Sequence, residues 1–420
     1  MLSVLMSMPL LAFGATGQPT AVGLSDDEVI QMFTAGNNGH LIRVICNPWC
    51  EQGTQDLGLP IGVTSVQNPS ATGDFDNDHI NVFAIANTTH LVKYNPQQGW
   101  RDFGRLPMFM QPIKNISAMT YYDEKAIEDE FLVFGDTSFL DQPRVIQEMQ
   151  VIHPDSSLPI ILPSGDTFWH TLGDPPASAT PATSAVTNPI SVSFSDSNDV
   201  QHIFVFTVGD NGLIYEDYSV DNGSTWTWQR VHGVPPSITG FLSHIAVAVS
   251  PQQNSQGLHD VNIFVTDDNV NDNGHLYEIQ THDGIHPLRQ WTDLGAAPFG
   301  YNGPQLPPTA SMEPKNPVAV DYVDPDGSEN VYVFANADVG FGSVSVVMRH
   351  WNSSGWSPWI NLGGAGTSSG GPANLAVATY WSDYYNLQFV DAFSTGQFGE
   401  VYVDVIDENG LLGQEYLGNL

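Results

Sequence analysis

Basic residues are scarce in this chain. Lysine and arginine total 11 against 46 acidic residues, and the formal net charge is −35. Nucleic acids and anionic membranes are bound through basic surfaces, so this balance argues against both as partners. Charged residues of either sign make up only 14% of the chain. A halophilic protein would be acidic and also heavily charged, so the composition reads as that of a secreted protein from a mildly acidic milieu. Cysteine is limited to Cys46 and Cys50, which flank Asn47-Pro48-Trp49. With no His/Cys cluster beside them, zinc is not expected, and the pair reads as a local disulfide made in an oxidising compartment. The apolar stretch over residues 2–13 is too short to span a bilayer. Gly14, Ala15 and Gly17 follow it, which predicts a signal peptide over 1–17 that lacks a basic start, and one domain over 18–420. The competing reading is a buried N-terminal strand. Helical periodicity is missing after this region. So are H-E-x-x-H, the G-x-S-x-G elbow, the P-loop and the dinucleotide fingerprint, so no cofactor and no metal are expected.

What the chain does have is a repeated ending: an aromatic residue, a short spacer, an apolar residue, then glycine. It runs Trp49 to Leu57-Gly58, Trp100 to Phe103-Gly104, Trp169 to Leu172-Gly173 and Trp228 to Val231-His232-Gly233. It continues Trp291 to Leu294-Gly295, Trp359 to Leu362-Gly363 and Tyr416-Leu417-Gly418. A period of roughly 45–70 residues is the mark of a propeller. Between the copies lie short apolar runs (Thr20–Val22, Ile190–Val192, Ile245–Val249, Pro317–Val320, Leu375–Ala378), expected as innermost strands buried on both faces. Alternating runs such as Ile203–Phe206 and Val331–Phe334 supply second strands, and runs after Gly/Asn turns supply third strands. The expected fold is all-β: a seven-bladed β-propeller of four-stranded antiparallel blades, with the Trp…Gly tails outermost. The third unit, about 117–173, is the least regular. The Pro/Ala/Ser/Thr stretch from Pro175 to Thr187 reads as a long loop between blades.

Three further motifs bear on chemistry. Ser219-Val220-Asp221-Asn222-Gly223-Ser224-Thr225-Trp226 matches the Asp-box pattern at every position, and its side chains are expected to bond their own turn. This supports the fold and not sialidase chemistry, which needs an arginine triad and a Tyr/Glu nucleophile, whereas the chain has 7 Arg and no Phe-Arg-Ile-Pro segment. Asp74, Asp76 and Asp78, with Asp324-Pro325-Asp326-Gly327 as a partial second copy, allow a calcium loop or plain hairpin turns. Sequons at Asn87, Asn115, Asn222 and Asn352 fit a secreted glycoprotein.

Loops between blades are expected to be polar, yet several here are not. Leu106–Lys114 contains Met108, Phe109 and Met110; Ile238–His244 contains Phe241; Ala296–Asn316 contains Phe299 and Tyr301. These either plug the ring or wall an apolar pocket over the central channel. In the second case Met108, Phe109, Met110, Phe241 and Phe299 contact substrate, and Lys114, His244 and Tyr301 are the candidate catalytic donors.

The blade pattern resembles the fungal fucose-lectin superfamily of secreted propellers and, more loosely, seven-bladed bacterial lectins with Trp-rich repeats. That resemblance implies sugar sites between successive blades built from an Arg/Glu/Trp set. The nearest positions are Arg43, Lys93, Glu216, Glu278, Arg349 and Asp404, a set not kept from blade to blade. The pattern is also similar to secreted fungal propellers that act as hetero-Diels–Alderases on tropolone–sesquiterpenoids, which implies a pericyclic cyclase. Such an enzyme needs no nucleophile, only an apolar cavity that holds two partners in a reactive pose and a donor to polarise a carbonyl. The leading expectation is therefore a secreted cyclase acting on an apolar small molecule. The alternative is a fucose-type lectin, and an interaction platform stands as a third class. Oligomeric state is open.

Overall fold

The structure is a computed structural model. Its described residues are 18–24, 29–47, 49–50, 53–73, 80–105, 113–123, 128–137, 145–151, 169–173, 189–209, 211–221, 223, 225–231, 235, 242–267, 274–281, 290–298, 311–312, 314–324, 326–340, 343–364, 374–396, 400–407 and 410–419. The expected signal peptide, Asp74, Asp76 and Asp78, the stretch 175–187 and Asn222 lie outside them.

Every described element is a β-strand. The first sheet takes Thr20–Leu24, Val29–Ala35, Leu41–Cys46 and Thr54–Gly58. The second takes Val66–Gly73, Ile80–Ala86, His90–Asn95 and Gly99–Arg105. The third, the irregular unit, takes Ile113–Asp123, Glu128–Thr137, Val145–Val151 and Trp169–Gly173. The fourth runs from Ile190–Ser195 to Thr227–Arg230, and the fifth from Leu242–Gln253 to Thr292–Gly295. The sixth begins at Pro314–Val323, and its outer edge is split into Gly355–Trp356 and Ile360–Gly364. The seventh runs from Asn374–Ser382 to Gly410–Asn419. Within each sheet the strands are antiparallel and follow chain order, so the architecture is a propeller of four-stranded blades.

Apolar clusters join each sheet to the next, and one joins the seventh to the first. The core is thus a circle of face-to-face packings rather than one centre. The register explains why. Seven second-strand phenylalanines, Phe33, Phe83, Phe134, Phe206, Phe264, Phe334 and Phe393, are fully buried. Each pairs with an equivalent first-strand residue: Thr20, Ser70, Ser117, Ile190, Ala246, Val318 and Ala376. Second strands such as Val29–Ala35 and Gln201–Val208 are buried on both faces. The first strands are not: Thr20–Leu24 and Ile190–Ser195 are mostly half-buried. The expectation for them was wrong because the innermost strand borders the central channel, while the second lies between two neighbouring blades.

Other boundaries also differ from expectation. Lys114 is the second residue of the strand Ile113–Asp123, and His244 lies in Leu242–Gln253, so neither is a loop residue. Trp49 is not on the outer strand either; it forms an isolated bridge with Asn47 before the strand starts.

Candidate functional site at the blade junctions

The first candidate is the channel. A cavity of about 520 Å³ opens among the inner strands of all seven sheets. His244 faces it, with Nδ1 2.9 Å from Ser243 Oγ and 3.4 Å from Thr266 Oγ1. The inner strands line it with both aliphatic and hydroxyl side chains. Thr20, Ser70 and Ser117 carry hydroxyls that accept N–H groups from the next blade: Ala71 to Thr20 at 3.1 Å, Ala118 to Ser70 at 2.9 Å and Ser191 to Ser117 at 3.0 Å. Strands crowd near an axis, so their side chains there are small, and hydroxyls can close the gap between blades. Among the predicted site residues only His244 is placed at this cavity. Met108, Phe109, Met110, Phe241, Phe299 and Tyr301 lie outside the described residues, and Lys114 is described by its backbone alone.

The junctions between blades hold the repeated chemistry. Trp100 Nε1–H donates to Leu57 O at 3.1 Å, Trp228 to Leu172 O at 2.6 Å and Trp359 to Leu294 O at 3.1 Å. Each indole thus reaches back to the tail of the preceding blade, which is why the aromatic residue and the apolar-Gly pair recur together. The tail glycines Gly58, Gly104, Gly295 and Gly363 have positive φ, which glycine adopts without strain. Their N–H groups donate to Asp56, Asp102, Asp293 and Asn361 two residues earlier, at 2.7–2.8 Å.

Three of these acids also hold a histidine. Asp56 pairs with His40 at 2.9 Å, Asp102 with His90 at 3.1 Å and Asp293 with His275 at 2.8 Å, all partly exposed. Sequence reasoning missed these dyads because the partners are 12 to 18 residues apart. The available signal was His-Leu at the start of a third strand, followed by Asp-Leu/Phe-Gly at the tail.

The junction between the fifth and sixth blades gathers the richest set. Trp356 Nε1–H donates to Glu278 Oε2 at 3.0 Å, and its ring meets Phe264 edge-on. Arg349 Nε–H donates to Ser357 O at 2.7 Å, Nη1 bonds Leu294 O, and the guanidinium carbon lies 5.8 Å from the Trp359 ring centroid. Partial burial lowers the Arg349 pKa, while Asp293 and Glu278 pull it back up. The cation is kept, since guanidinium stays protonated in proteins. A carboxylate, a guanidinium and two indoles therefore share one junction.

The register corrects the expected third-strand set. The residues opposite the buried phenylalanines are Arg43, Lys93, Glu148, Glu216, Glu278, Met348 and Val403. Arg349 and Asp404 sit one place further on, which turns them toward the preceding blade. Arg43 bonds Gln31 and Gln55, and Glu216 bonds Gln229, so both are tied within their own blades.

The remaining motifs are structural. Asp221 accepts from Thr225 N–H at 2.9 Å and Thr225 Oγ1–H at 2.7 Å, and Ser219 Oγ accepts from Gly223 N–H at 2.9 Å, as an Asp-box turn requires. Asp324 and Asp326 accept from Asn330 and the Ser328 N–H, so they shape a hairpin. Among the described residues no group of three His, Cys, Asp or Glu side chains is placed to hold a metal. Cys46 and Cys50 form the expected disulfide. The Asn87 side-chain oxygen accepts from Thr64 and Ser65, that of Asn115 from Asn68, and that of Asn352 from the Ser354 N–H.

Neither a family model nor a curated protein matches the chain in sequence. Solved structures do match it in shape. The BP39L lectin from Burkholderia pseudomallei shares 16% identity at a TM-score of 0.56, covering 97% of this chain and 99% of that one. AofleA from Arthrobotrys oligospora shares 10% at 0.49, covering 86% and 88%. The fucose-specific lectin from Aleuria aurantia shares 15% at 0.46, covering 82% and 95%. The Burkholderia likeness shows a shared fold. The other two are too distant to carry an argument. That includes blade number: the Aleuria lectin is described as six-bladed at a TM-score of 0.44, whereas this chain's own strands group into seven sheets of four or more.

Proposed function

We propose that this protein is a carbohydrate-binding propeller whose sugar-facing groups lie at the blade junctions rather than over the channel. The observation that carries the reading is the set Glu278, Arg349, Trp356 and Trp359 between the fifth and sixth blades. A pyranose offers adjacent hydroxyls on its rim and C–H groups on its faces. Planar charged groups bond two hydroxyls at once, and an indole covers the apolar face. The two carbonyl bonds of Arg349 set its plane before any ligand arrives, which lowers the entropic cost of binding. The fold shared with a bacterial lectin supports the same reading. The disulfide supports an oxidising, secretory compartment. Seven blades in one ring are part of the proposal, supported by the seven sheets and by the cluster that joins the last to the first; an experimental structure with six would overturn that part.

The test is a glycan array followed by calorimetry, with fucosides as the first probes. Arg349→Ala should weaken binding by about 3 kcal/mol, more than a hundredfold, with an unchanged far-UV spectrum. His244→Ala, in the channel, should leave affinity as it is. If no glycan binds the intact protein, or if Arg349→Ala and Trp359→Ala bind as the parent does, the reading is wrong.

A further inference from the structure

Six of the seven junctions are bridged by the chain itself, because each outer strand leads on to the next inner strand. The seventh, between the last blade and the first, is not. Among the described residues no strand from one end of the chain pairs within the sheet of the other end. This seam must be closed by side chains and close backbone approach. Its inner strands touch: a Cβ on Gly23 would fall 1.7 Å from Thr379 O. An apolar cluster spans it, from Ile30, Met32 and Val44 to Phe389, Phe393 and Val403.

Its periphery lacks the usual staple. The outer-strand position equivalent to Trp100 is Thr54 in the first blade, two residues before the acid that accepts from the tail glycine. An indole is supplied from elsewhere. Cys46 ends the third strand, deep in the seam cluster, and its disulfide to Cys50 draws Trp49 into a tight loop. The Trp49 ring lies against Gly413 on the outer strand of the seventh blade, so closely that a Cβ there would come within 2.9 Å of it. Beside it the Cys50 N–H donates to Glu415 Oε2 at 3.1 Å. The stretched first copy of the sequence repeat, in which Leu57 comes eight positions after Trp49, is the trace of this displaced indole.

We propose that the Cys46–Cys50 loop is a redox-operated latch that fastens the first blade to the last. The disulfide's task here is to hold Trp49 and the Cys50 N–H in place against Gly413 and Glu415. A dithiol reductant supplies two electrons and two protons, converts Cys46–Cys50 to two thiols, and closes to its own disulfide. The loop is then free to leave the seventh blade, and the seam is left to its apolar cluster and the contact of its inner strands.

Hydrogen exchange followed by mass spectrometry tests it on the full chain. The folded protein is compared before and after dithiothreitol, so that folding without the disulfide is never required. Oxidised Trp49→Ala provides the second arm, with the disulfide intact. In both arms exchange should rise about tenfold over Thr20–Cys46 and Asn374–Asn419, and stay unchanged over Ile190–Gly295. If reduction leaves the seam protected, or speeds all blades alike, there is no latch. If reduction opens the seam but Trp49→Ala does not, the disulfide acts through loop entropy alone and the latch is wrong.

Discussion

The inner and outer strands of the same blades close the ring by different means. Near the axis the contact changes halfway round. Thr20, Ser70 and Ser117 reach the next blade through hydroxyls, while Ile190, Ala246, Val318 and Ala376 occupy the same register with aliphatic side chains. At the periphery the device persists across both halves: Trp100, Trp228 and Trp359 each donate to the tail of the blade before. Blades splay as they leave the axis. A small side chain can bridge the narrow inner gap in several ways, but only a long, flat side chain with a donor at its tip spans the outer one. The constant part of the repeat therefore lies outside, and the variable part lies inside.

The largest effect expected from this comparison lies between the two zones. Phe264 is fully buried and meets Trp356 of the next blade. Phe264→Ala should cost about 3–5 kcal/mol in a urea titration, and Phe83→Ala in the other half should cost a similar amount. Unequal costs would break the equivalence that the register implies.

Next in size is a dependence on pH. Burial pushes Asp321 up to about 9, helped by the negative charge of Glu329, and burial pushes Asp404 up to about 7. Both folded-state values exceed the unfolded one, so folding retains protons. The stability these groups contribute is complete below the unfolded pKa and is lost as pH rises through about 7 for Asp404 and about 9 for Asp321. Stability should therefore fall between pH 5 and 8, Asp404 alone removing roughly 2–3 kcal/mol as read by urea titrations at each pH, and Asp404→Asn should flatten that slope. A stability that rises over this range would contradict both shifts.

Smaller effects separate the two kinds of closure. Trp359→Phe keeps the ring but loses the donor to Leu294 O, and should cost about 1–2 kcal/mol in the same titration. Ser70→Ala removes the acceptor for the Ala118 N–H at a half-buried site, where about 1 kcal/mol is expected. If Ser70→Ala costs more than Trp359→Phe, the inner hydroxyls and not the outer indoles dominate closure.

Much of this was legible in the residues. Apart from Trp49 of the first copy, Trp…Gly tails such as those at Trp100 and Trp169 do fall on the outer strands, the Asp-box bonds its own turn, and the cysteine pair is closed. The apolar crossovers were read as a pocket wall; most of their residues lie outside the described ones, and the described ends at Ile113 and Leu242 already belong to inner strands. The His–Asp dyads and the Glu278–Trp356 contact were not legible, because each joins residues on different strands or different blades.

By itself the sequence determined the strand type, the four-strand unit and the place of the tail in each blade, since these follow from local alternation, turn residues and glycine's tolerance of positive φ. The tertiary structure alone decided which carboxylate meets which indole, which histidine is held by which aspartate, and how Trp49 reaches Gly413 across the seam. Those choices depend on bringing together faces of blades far apart in the chain, such as Cys50 and Glu415, 365 residues from each other, and no local pattern encodes that distance.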